Sequence, residues 1–323
     1  MRLLVTGGAG FIGSNFVRRV HDQTLNGISS VIVLDKMTYA GVQENLDGVI
    51  GPGNYSLVVG DICDGNLVSS LLSEIDAVVN FAAESHVDRS IGSAAEFVET
   101  NVGGVQVLLD AIKASGRNIR FIQVSTDEVY GSIDSGSWTE EWPLQPNSPY
   151  SASKAGGELL ARAYFKTHGL DVVITRCSNN YGTHHFPEKL IPLFVTNLLE
   201  GKKVPVYGNG KNVRDWLHVD DHCQGIYKVL MNGRAGEVYN IGGGRELNNL
   251  EITHLILEAM GKNESSIEYV EDRKGHDLRY SVDWTKINRE LGYEPQVKFE
   301  DGLRDTIQWY RDNESWWKPL KAR

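Results

Sequence analysis

Cysteine is scarce in this chain, and its scarcity excludes two kinds of structural framework. The 323 residues contain three cysteines, Cys63, Cys177 and Cys223, which are odd in number and far apart, with no C-x-x-C pair. This spacing supports neither a disulfide framework nor a cysteine-based zinc site. We therefore predict a protein of a reducing compartment, with a cytoplasmic location.

The sequence also lacks long apolar runs and an excess of positive charge. No apolar run approaches the length of a membrane span, and a strand pattern with a glycine turn occupies the place that a signal peptide would need. The 42 acidic and 32 basic residues give a formal net charge of -10. We therefore predict no binding to nucleic acid or to a membrane, and an anionic substrate would need local cations such as Lys189, Arg214 and Arg273.

The N-terminal residues carry a dinucleotide-binding pattern. Residues 3–5 form an apolar β-type run, residues 7–13 are rich in glycine, and residues 16–20 have a helical pattern. The glycines fit both G-x-G-x-x-G and G-x-x-G-x-x-G, and either spacing lets the backbone approach a pyrophosphate at a helix N-terminus. A second apolar strand ends at Asp35, whose carboxylate would bind a ribose 2′-hydroxyl and repel a 2′-phosphate. NAD is therefore predicted over NADP, although the adjacent Lys36 adds an opposing charge.

Strand and helix patterns alternate through the first half of the chain. We predict strands at 55–60, 77–81, 119–124 and 172–174, and helices at 67–72 and 97–115. This alternation predicts an α/β fold with a doubly wound parallel (Rossmann) sheet, whose ligands bind beyond the carboxyl ends of the strands. Four polar or small residues fall at such ends: Asp35, Asp61, Ala82 and Thr126.

The alternation weakens beyond Arg176, where prolines interrupt the pattern and loops lengthen. This change predicts a smaller C-terminal substrate-binding domain that is interleaved with the first. We place the NAD-binding domain at 1–182 plus about 215–245, and the substrate-binding domain at about 183–214 plus 246–323.

One short stretch of the chain gathers five proton-handling side chains. Thr126, Asp127 and Glu128 follow a predicted strand, and Tyr150 and Lys154 are four residues apart, so that on a helix they share one face. A phenol is a weak base at neutral pH, but a lysine ammonium and a cationic nicotinamide both favour the phenolate. The stretch predicts an acid–base site, with an ordinary solvated helix face as the alternative.

The neighbouring carboxyls of Asp127 and Glu128 allow two interpretations. Adjacent residues of a helical turn point about 100° apart, so the two groups could reach different atoms of one substrate. Two close carboxyls do not both ionise easily, so one keeps its proton. The pair therefore predicts a general acid and a general base, and the alternative is that both carboxyls merely cap the first turn of a helix.

Three other patterns resemble sites but have simpler explanations. Residues 218–222 have metal-ligand spacing without a third soft ligand nearby, so we predict no metal. His184 and His185 are assigned to a surface loop. The glycines at 242–244 lack the Lys-Ser/Thr helix of a phosphate loop, and we predict a turn at a strand end.

Seven motifs together carry a family resemblance. They are T-G-G-A-G-F-I-G (6–13), D-K-M-T-Y-A-G (35–41), A-A-E-S-H-V-D-R-S (82–90), S-T-D-E-V-Y-G (125–131), Y-S-A-S-K (150–154), N-N-Y-G (179–182) and F-P-E-K-L-I-P (186–192). Nearly end to end, the chain resembles the extended short-chain dehydrogenase/reductases, and specifically the dTDP-glucose 4,6-dehydratase family. The acidic pair is the most specific part, because the related sugar-nucleotide 4-epimerases lack it. Lys274 departs from the usual proline, and Thr183 with His184 departs from the usual Pro-Tyr.

The resemblance implies a dehydration with internal redox: dTDP-D-glucose becomes dTDP-4-keto-6-deoxy-D-glucose and water, with hydride moving from carbon 4 to carbon 6 through tightly bound NAD. It implies that Tyr150 takes the proton of the 4-hydroxyl, helped by Lys154 and Thr126. Glu128 would then take the proton of carbon 5, and Asp127 would protonate the departing 6-hydroxyl.

Three alternative functions remain at this stage. A UDP-sugar 4,6-dehydratase and an NAD-dependent sugar-nucleotide 4-epimerase would share Tyr150 and Lys154, and the choice between thymine and uracil is left open. A non-catalytic NAD-binding protein is disfavoured because both residues are present.

The resemblance also implies ligand contacts and a homodimer through the helices near 102–112 and 155–164. The residues implied to contact NAD are Gly7, Gly10, Phe11, Ile12, Gly13, Asp35, Lys36, Thr38, Gly41, Asp61, Ile62, Ala82, Ala83, Ser85, Thr100, Tyr150, Lys154 and Asn180. Those implied to contact the sugar nucleotide are Ser85, Thr126, Asn179, Lys189, Leu190, Pro205, Tyr207, Arg214, Asn249, Arg273 and His276.

Overall fold

A sheet of seven parallel strands dominates the protein, whose computed structural model describes residues 1–51 and 53–322. The strands are, in chain order, β1 (Arg2–Thr6), β2 (Ser30–Asp35), β3 (Tyr55–Val59), β4 (Ala77–Asn80), β5 (Arg120–Thr126), β6 (Val172–Cys177), β7 (Asn179–Tyr181), β8 (Val204–Tyr207), β9 (Val213–His218), β10 (Val238–Ile241), β11 (Glu246–Asn248) and β12 (Ile267–Val270). The large sheet has the order β3-β2-β1-β4-β5-β6-β10, with every neighbouring pair parallel. The order reverses between β1 and β4, so the predicted doubly wound α/β sheet is confirmed.

Helices cover both faces of this sheet. They are, in chain order, α1 (Phe11–His21), α2 (Gly65–Leu71), α3 (Val87–Gly92), α4 (Ala95–Val98), α5 (Val105–Ala114), α6 (Pro149–His168), α7 (Leu190–Leu199), α8 (Val219–Asn232), α9 (Asn249–Ala259), α10 (Thr285–Leu291), α11 (Phe299–Asp312) and α12 (Glu314–Leu320). Within the described residues, none of these helices combines the length and the apolar character needed to cross a bilayer.

The side chains of β1 show why its sequence is apolar without a break. Leu3 and Val5 belong to one buried cluster with Phe16 of α1, while Leu4 belongs to a second cluster with Leu108 of α5. Successive side chains of a strand point to opposite faces, so a strand that is covered on both faces is apolar at every position.

A smaller lobe contains the remaining strands and helices α7, α9, α11 and α12, whereas Ile287 of α10 packs in a core cluster of the large sheet. β7, β9 and β11 form a three-stranded sheet, and β8 pairs with β12. A separate buried cluster joins α7, α9, α11 and α12, with Trp317 fully buried in it. This lobe lies beyond the carboxyl ends of β5 and β6, where the candidate site residues converge.

The predicted elements occur with shifted boundaries. The helix predicted at 67–72 begins at Gly65, because Asp64 accepts hydrogen bonds from the backbone of Asn66 and Leu67. The long helix predicted at 97–115 is interrupted by a π-helical segment, Glu99–Gly104. In that segment the Asn101 side chain bonds both backbone groups of Glu84, a constraint that the helical pattern alone could not reveal.

Candidate active site

The acidic pair lies in a tight turn at the end of β5. Asp127–Tyr130 form one 3₁₀ turn, and the Thr126 hydroxyl oxygen accepts a hydrogen bond from the Glu128 N–H at 3.3 Å. The turn ends at Gly131, whose φ of 87° and whose position against the Gln145 carbonyl leave no room for a side chain. The Asp127 side chain is 1% exposed, and its Oδ2 has no hydrogen-bond partner within the described residues.

Tyr150 and Lys154 lie on the first two turns of α6, as the spacing predicted. The helix begins with a capping box in which Ser148 and Ser151 bond each other's backbone N–H, and Pro149 occupies the first position. Both functional side chains are buried. The Lys154 ammonium donates to the carbonyl oxygen of Val124 on β5 at 2.8 Å, which ties the helix to the strand that leads into the acidic turn.

The surroundings of the two carboxyls raise the pKa of both, and they raise that of Asp127 more strongly. Burial raises the pKa of Asp127 well above its usual range, and the charge of Glu128 raises it further. Burial also raises the pKa of Glu128, but Arg273, Arg214 and Lys189 oppose that rise. The pair therefore offers one carboxyl that holds its proton more strongly than the other, which is the difference that a general acid and a general base require.

The protein alone keeps the Tyr150 phenol protonated. Burial raises the pKa of Tyr150 well above its usual value, and the charge of Glu128 adds to that rise. Burial lowers the pKa of Lys154 to about 8. A phenolate at this position therefore needs positive charge from Lys154 and from a bound cation.

The glycine turn after β1 is shaped for close approach of a ligand to the backbone. Gly7 has a φ of 67°, and a Cβ there would lie 2.6 Å from the Ala82 nitrogen. A Cβ on Gly13 would lie 2.3 Å from the Gly7 carbonyl oxygen. α1 begins at Gly10 with no side-chain cap and no acidic residue in its first turn, so its N-terminal N–H groups and positive dipole face the crevice. The residues fit the pyrophosphate of a dinucleotide.

The acidic residues at the ends of β2 and β3 stand at the side of this crevice. Asp35 accepts hydrogen bonds from the backbone N–H groups of Ala9 and Met37 at 2.9 and 2.8 Å, which fixes its carboxylate beside the glycine turn. The Lys36 ammonium is paired with Asp61 at 2.7 Å. The Lys36 ammonium is therefore paired with a carboxylate, so its charge no longer argues against the prediction of NAD over NADP.

Every residue that sequence analysis proposed for catalysis, cofactor or substrate lines a single cavity of about 470 Å³. The cavity extends from the glycine turn, past Thr126 and Tyr150, to the small lobe at Arg273. Arg214 is anchored there by the carbonyl oxygens of Val213 and Asp277, at 2.8 and 3.1 Å. The fold thus brings together the candidate cofactor and substrate groups.

Four further residues join the two lobes at the edge of the cavity, and sequence analysis missed their role. We name them the lobe clasp: Tyr39, His86, Arg89 and Glu188. One Glu188 oxygen accepts from the Tyr39 hydroxyl at 3.0 Å, and the other lies 3.4 Å from His86 and 3.6 Å from Arg89. The Arg89 guanidinium also lies 3.6 Å from the centre of the Tyr39 ring. His86 and Glu188 of the clasp line the cavity together with Thr38 and Ser85.

The prediction of a surface loop at His184 and His185 is wrong. The His185 ring stacks on Phe11 at 4.1 Å between centroids, and the His184 ring lies 4.3 Å from that of Trp309. Both histidines line the cavity. A polar segment between a glycine and a proline is typical of a surface loop. Here the adjacent Phe186 is buried, so the segment packs against the interior of the protein.

The histidines of the 218–222 segment have structural partners. His218 caps α8 through the Asp220 N–H, and His222 hydrogen-bonds Asn180 at 2.9 Å. Asp221 accepts from the backbone N–H groups of Gln296 and Val297. Among the described residues there is no group of three or more potential metal ligands. The glycines at 242–244 follow β10, at the strand end where the turn was predicted.

Comparison with known proteins places this geometry in a family. A family model described as GDP-mannose 4,6 dehydratase matches residues 4–306. The chain belongs to this nucleotide-sugar dehydratase family. Within the family it is 59% identical to a dTDP-glucose 4,6-dehydratase of Streptomyces niveus, over all of this chain and 96% of the relative. A dTDP-glucose 4,6-dehydratase of an Actinoplanes species is 58% identical, over 98% of this chain and all of the relative.

Solved structures of the dehydratase family agree with this placement. DesIV, a dTDP-glucose 4,6-dehydratase of Streptomyces venezuelae solved with NAD and dTDP, has a TM-score of 0.97 and 60% identity, covering 99% of this chain and all of that one. A UDP-glucose 4-epimerase of Thermotoga maritima has a TM-score of 0.89 and 31% identity, covering 97% of this chain and all of that one. The fold is therefore shared with epimerases, and the sequence is much closer to the dehydratases.

Proposed function

We propose that this chain is an NAD-dependent dTDP-glucose 4,6-dehydratase, a hydro-lyase that converts dTDP-D-glucose to dTDP-4-keto-6-deoxy-D-glucose and water. The observation that supports this proposal most strongly is the sequence identity of 58–59% with dTDP-glucose 4,6-dehydratases along essentially the whole chain. The acidic pair at Asp127 and Glu128 supports the same conclusion, because an epimerase has no water to eliminate and needs neither group.

Three side chains carry the proton transfers, which occur at carbon 5 and at two oxygens of the hexose. When bound, NAD accepts the hydride of carbon 4 and returns it at carbon 6. Tyr150, as phenolate, takes the proton of the 4-hydroxyl, and Thr126 hydrogen-bonds the same oxygen. The resulting ketone acidifies carbon 5, from which Glu128 takes a proton, while Asp127 gives its proton to the departing 6-hydroxyl. Glu128 then returns a proton to carbon 5.

The protonation states of the protein suit these roles. Asp127 is buried without a partner for Oδ2, so it enters the reaction as a neutral donor. Burial raises the pKa of Glu128, but the charges of Arg273, Arg214 and Lys189 oppose that rise and favour the carboxylate form that a base requires. Lys154 supplies the positive charge that a phenolate of Tyr150 needs.

The diphosphate of the substrate is assigned to the cations of the small-lobe side of the cavity. Arg214 and Arg273 are the candidates for paired hydrogen bonds to phosphate oxygens. Arg214 is 5% exposed and lies 4.0 Å over the Tyr280 ring, so its orientation is fixed. The Arg273 Nε is buried without a partner within the described residues, which leaves it available to an anion.

The glycine turn, Asp35 and the residues at the ends of β3 and β4 are assigned to NAD, with the domain boundaries given above. We further propose a homodimer and a cytoplasmic location. Leu159, on the second helical segment predicted to pair with a second copy, is 55% exposed, and Val98, just before the first of these segments, is 53% exposed. Apolar side chains this exposed favour burial in an interface.

The test is incubation of the purified protein with dTDP-glucose carrying deuterium on carbon 4, without added reductant. The proposal expects a 4-keto-6-deoxy product, with its absorbance in strong alkali and the deuterium on carbon 6. A product with an inverted 4-hydroxyl and an intact 6-hydroxyl would instead identify an epimerase. Light scattering that gives the mass of one chain would contradict the dimer alone.

A further inference from the structure

A buried polar network lies behind the acid–base site, and the proposed chemistry does not use it. Arg176, the next-to-last residue of β6, binds Glu158 through Nη2 at 2.7 Å and Nε at 3.0 Å. Its remaining arm, Nη1, donates to the Tyr130 hydroxyl at 2.7 Å. That hydroxyl donates in turn to the Asn240 side chain on β10 at 2.9 Å. Arg176 thus uses all three arms of its guanidinium.

The two ends of the network belong to the two halves of the catalytic machinery. Glu158 follows Tyr150 and Lys154 at intervals of four residues on α6, so the three side chains lie in one row along the helix. Tyr130 is the last residue of the 3₁₀ turn that begins at Asp127. Arg176 therefore connects the helix that carries the phenol to the turn that carries the carboxyls.

The network is rigid because each member is held from more than one side. Arg176 is 5% exposed, and Glu158 is 1% exposed. The Tyr130 ring stacks on Trp138 at 5.1 Å, and the Asn240 amide donates to the Trp138 carbonyl at 2.9 Å. A shift of the turn relative to α6 would leave a buried charge or hydroxyl without its partner, which is costly in a low-dielectric interior.

We propose that Arg176 and Tyr130 are positioning residues that set the distance between the acidic turn and Tyr150. The reaction requires this distance to be fixed, because the proton transfers at the 4-hydroxyl, at carbon 5 and at the 6-hydroxyl occur on one sugar held in one place. A small misplacement of catalytic groups slows a step by up to about 100-fold. The inference rests on the proposed function, since only a dehydratase needs both halves in one turnover.

Tyr130→Phe is the primary test, because it removes a single hydroxyl and leaves the Arg176–Glu158 pair intact. The turn should loosen while Tyr150 and Lys154 stay in place, so elimination should slow by about tenfold or more with KM nearly unchanged. Oxidation of carbon 4 should persist. More of the bound nicotinamide should therefore be in its reduced form during turnover, which its near-ultraviolet absorbance reports.

Arg176→Lys provides a second, independent variant. A lysine keeps the positive charge beside Glu158, but it lacks the planar guanidinium that donates hydrogen bonds to Glu158 and Tyr130 together. The same accumulation of reduced nicotinamide is expected, and the double variant should be little worse than either single one, because both changes break one connection.

Tyr293→Phe is the matched control. Its hydroxyl is buried and donates to the Gly242 carbonyl at 2.9 Å, so this change also removes one buried hydrogen bond, but Tyr293 does not line the cavity. The control is expected to lose a similar amount of thermal stability and to keep the wild-type fraction of reduced nicotinamide.

The outcomes separate this inference from the proposed function. If wild-type protein forms no 4-keto-6-deoxy product, the function and the inference both fail. If wild-type protein forms it and Tyr130→Phe matches Tyr293→Phe in turnover and in reduced nicotinamide, the positioning role fails alone. Should Tyr130→Phe not fold, Arg176→Lys decides by the same two readouts.

Discussion

The ammonium of Lys154 lies 2.8 Å from the carbonyl oxygen of Val124, inside the protein and almost out of contact with water. A lysine at such a position is held at a cost, because burial disfavours its charged form and lowers its pKa from 10.5 to about 8. The residue that favours the phenolate of Tyr150 therefore destabilises the ligand-free fold at neutral pH.

This cost predicts a specific dependence of stability on pH. Between pH 8 and pH 10.5 the unfolded chain binds a proton at Lys154 that the folded chain does not, so Lys154 contributes a rise in the free energy of unfolding with pH across this window. The shift corresponds to about 3 kcal/mol at 1.36 kcal/mol per pKa unit, as an upper limit. Burial raises the pKa of Cys177 and Cys223, which contributes a fall over the same window, so the contribution of Lys154 is the difference between the urea-unfolding pH profiles of NAD-free wild type and Lys154→Met.

Lys113→Met, at an exposed lysine, is the matched control and should keep the wild-type pH dependence. Equal pH profiles for wild type and Lys154→Met would show that the buried ammonium carries no such cost. Lys154→Met should also lose dehydratase activity, because Tyr150 would lack its cationic neighbour.

Changing either carboxyl of the acidic turn should stop elimination and spare the first oxidation. Asp127→Asn removes the proton donor, and Glu128→Gln removes the base, and each step that loses general acid–base help slows by about 100- to 10,000-fold. Reduction of bound nicotinamide upon addition of dTDP-glucose should survive in both variants. Asp134→Asn, at an exposed carboxylate soon after the turn, should retain wild-type turnover of product; near-normal turnover by both turn variants would remove the pair from the chemistry.

Local patterns were sufficient to predict the parallel sheet and the elements that carry the candidate catalytic side chains. β1 is apolar without a break because it is covered on both faces, and the glycines after it allow the backbone to turn sharply. Both features can be recognised from residues that are neighbours in the sequence. The spacing of Tyr150 and Lys154 likewise reports the pitch of α6 directly.

Contacts between distant parts of the chain were not predictable in this way. Tyr39 and Glu188 are separated by 149 residues, and Arg176 and Tyr130 by 46. Neither pair leaves a periodic signal, because only the packing of β5, β6 and the small lobe brings their side chains together. His185 was wrongly assigned to a surface loop for the same reason, because its stacking partner Phe11 lies near the N-terminus, far from His185 in the chain.

The pairing of Lys36 with Asp61 predicts how cofactor preference can be changed. Asp61→Asn would free the Lys36 ammonium to attract a 2′-phosphate, so the ratio of NAD to NADP affinity should fall by about tenfold, equivalent to about 1.4 kcal/mol. Titration of both cofactors by fluorescence measures the ratio, which is insensitive to a general loss of binding. Adding Lys36→Met to Asp61→Asn should abolish the gain for NADP. An unchanged ratio in the single variant would mean that Asp35 alone decides the preference.

The lobe clasp predicts how long NAD stays bound. Glu188 accepts a hydrogen bond from the Tyr39 hydroxyl and lies beside the Arg89 guanidinium and the His86 ring, so it bridges the loop beside Thr38 to the small lobe. Glu188→Gln would weaken these charge-assisted contacts by about 1–2 kcal/mol and should speed NAD release by roughly tenfold. The dissociation rate is measured by dilution of the NAD-loaded protein into excess competing nucleotide. Glu200→Gln, which breaks ion pairs with Lys202 and Lys321 outside the cavity, should leave that rate unchanged. If both variants released NAD at the wild-type rate, the clasp would join the lobes without retaining the cofactor.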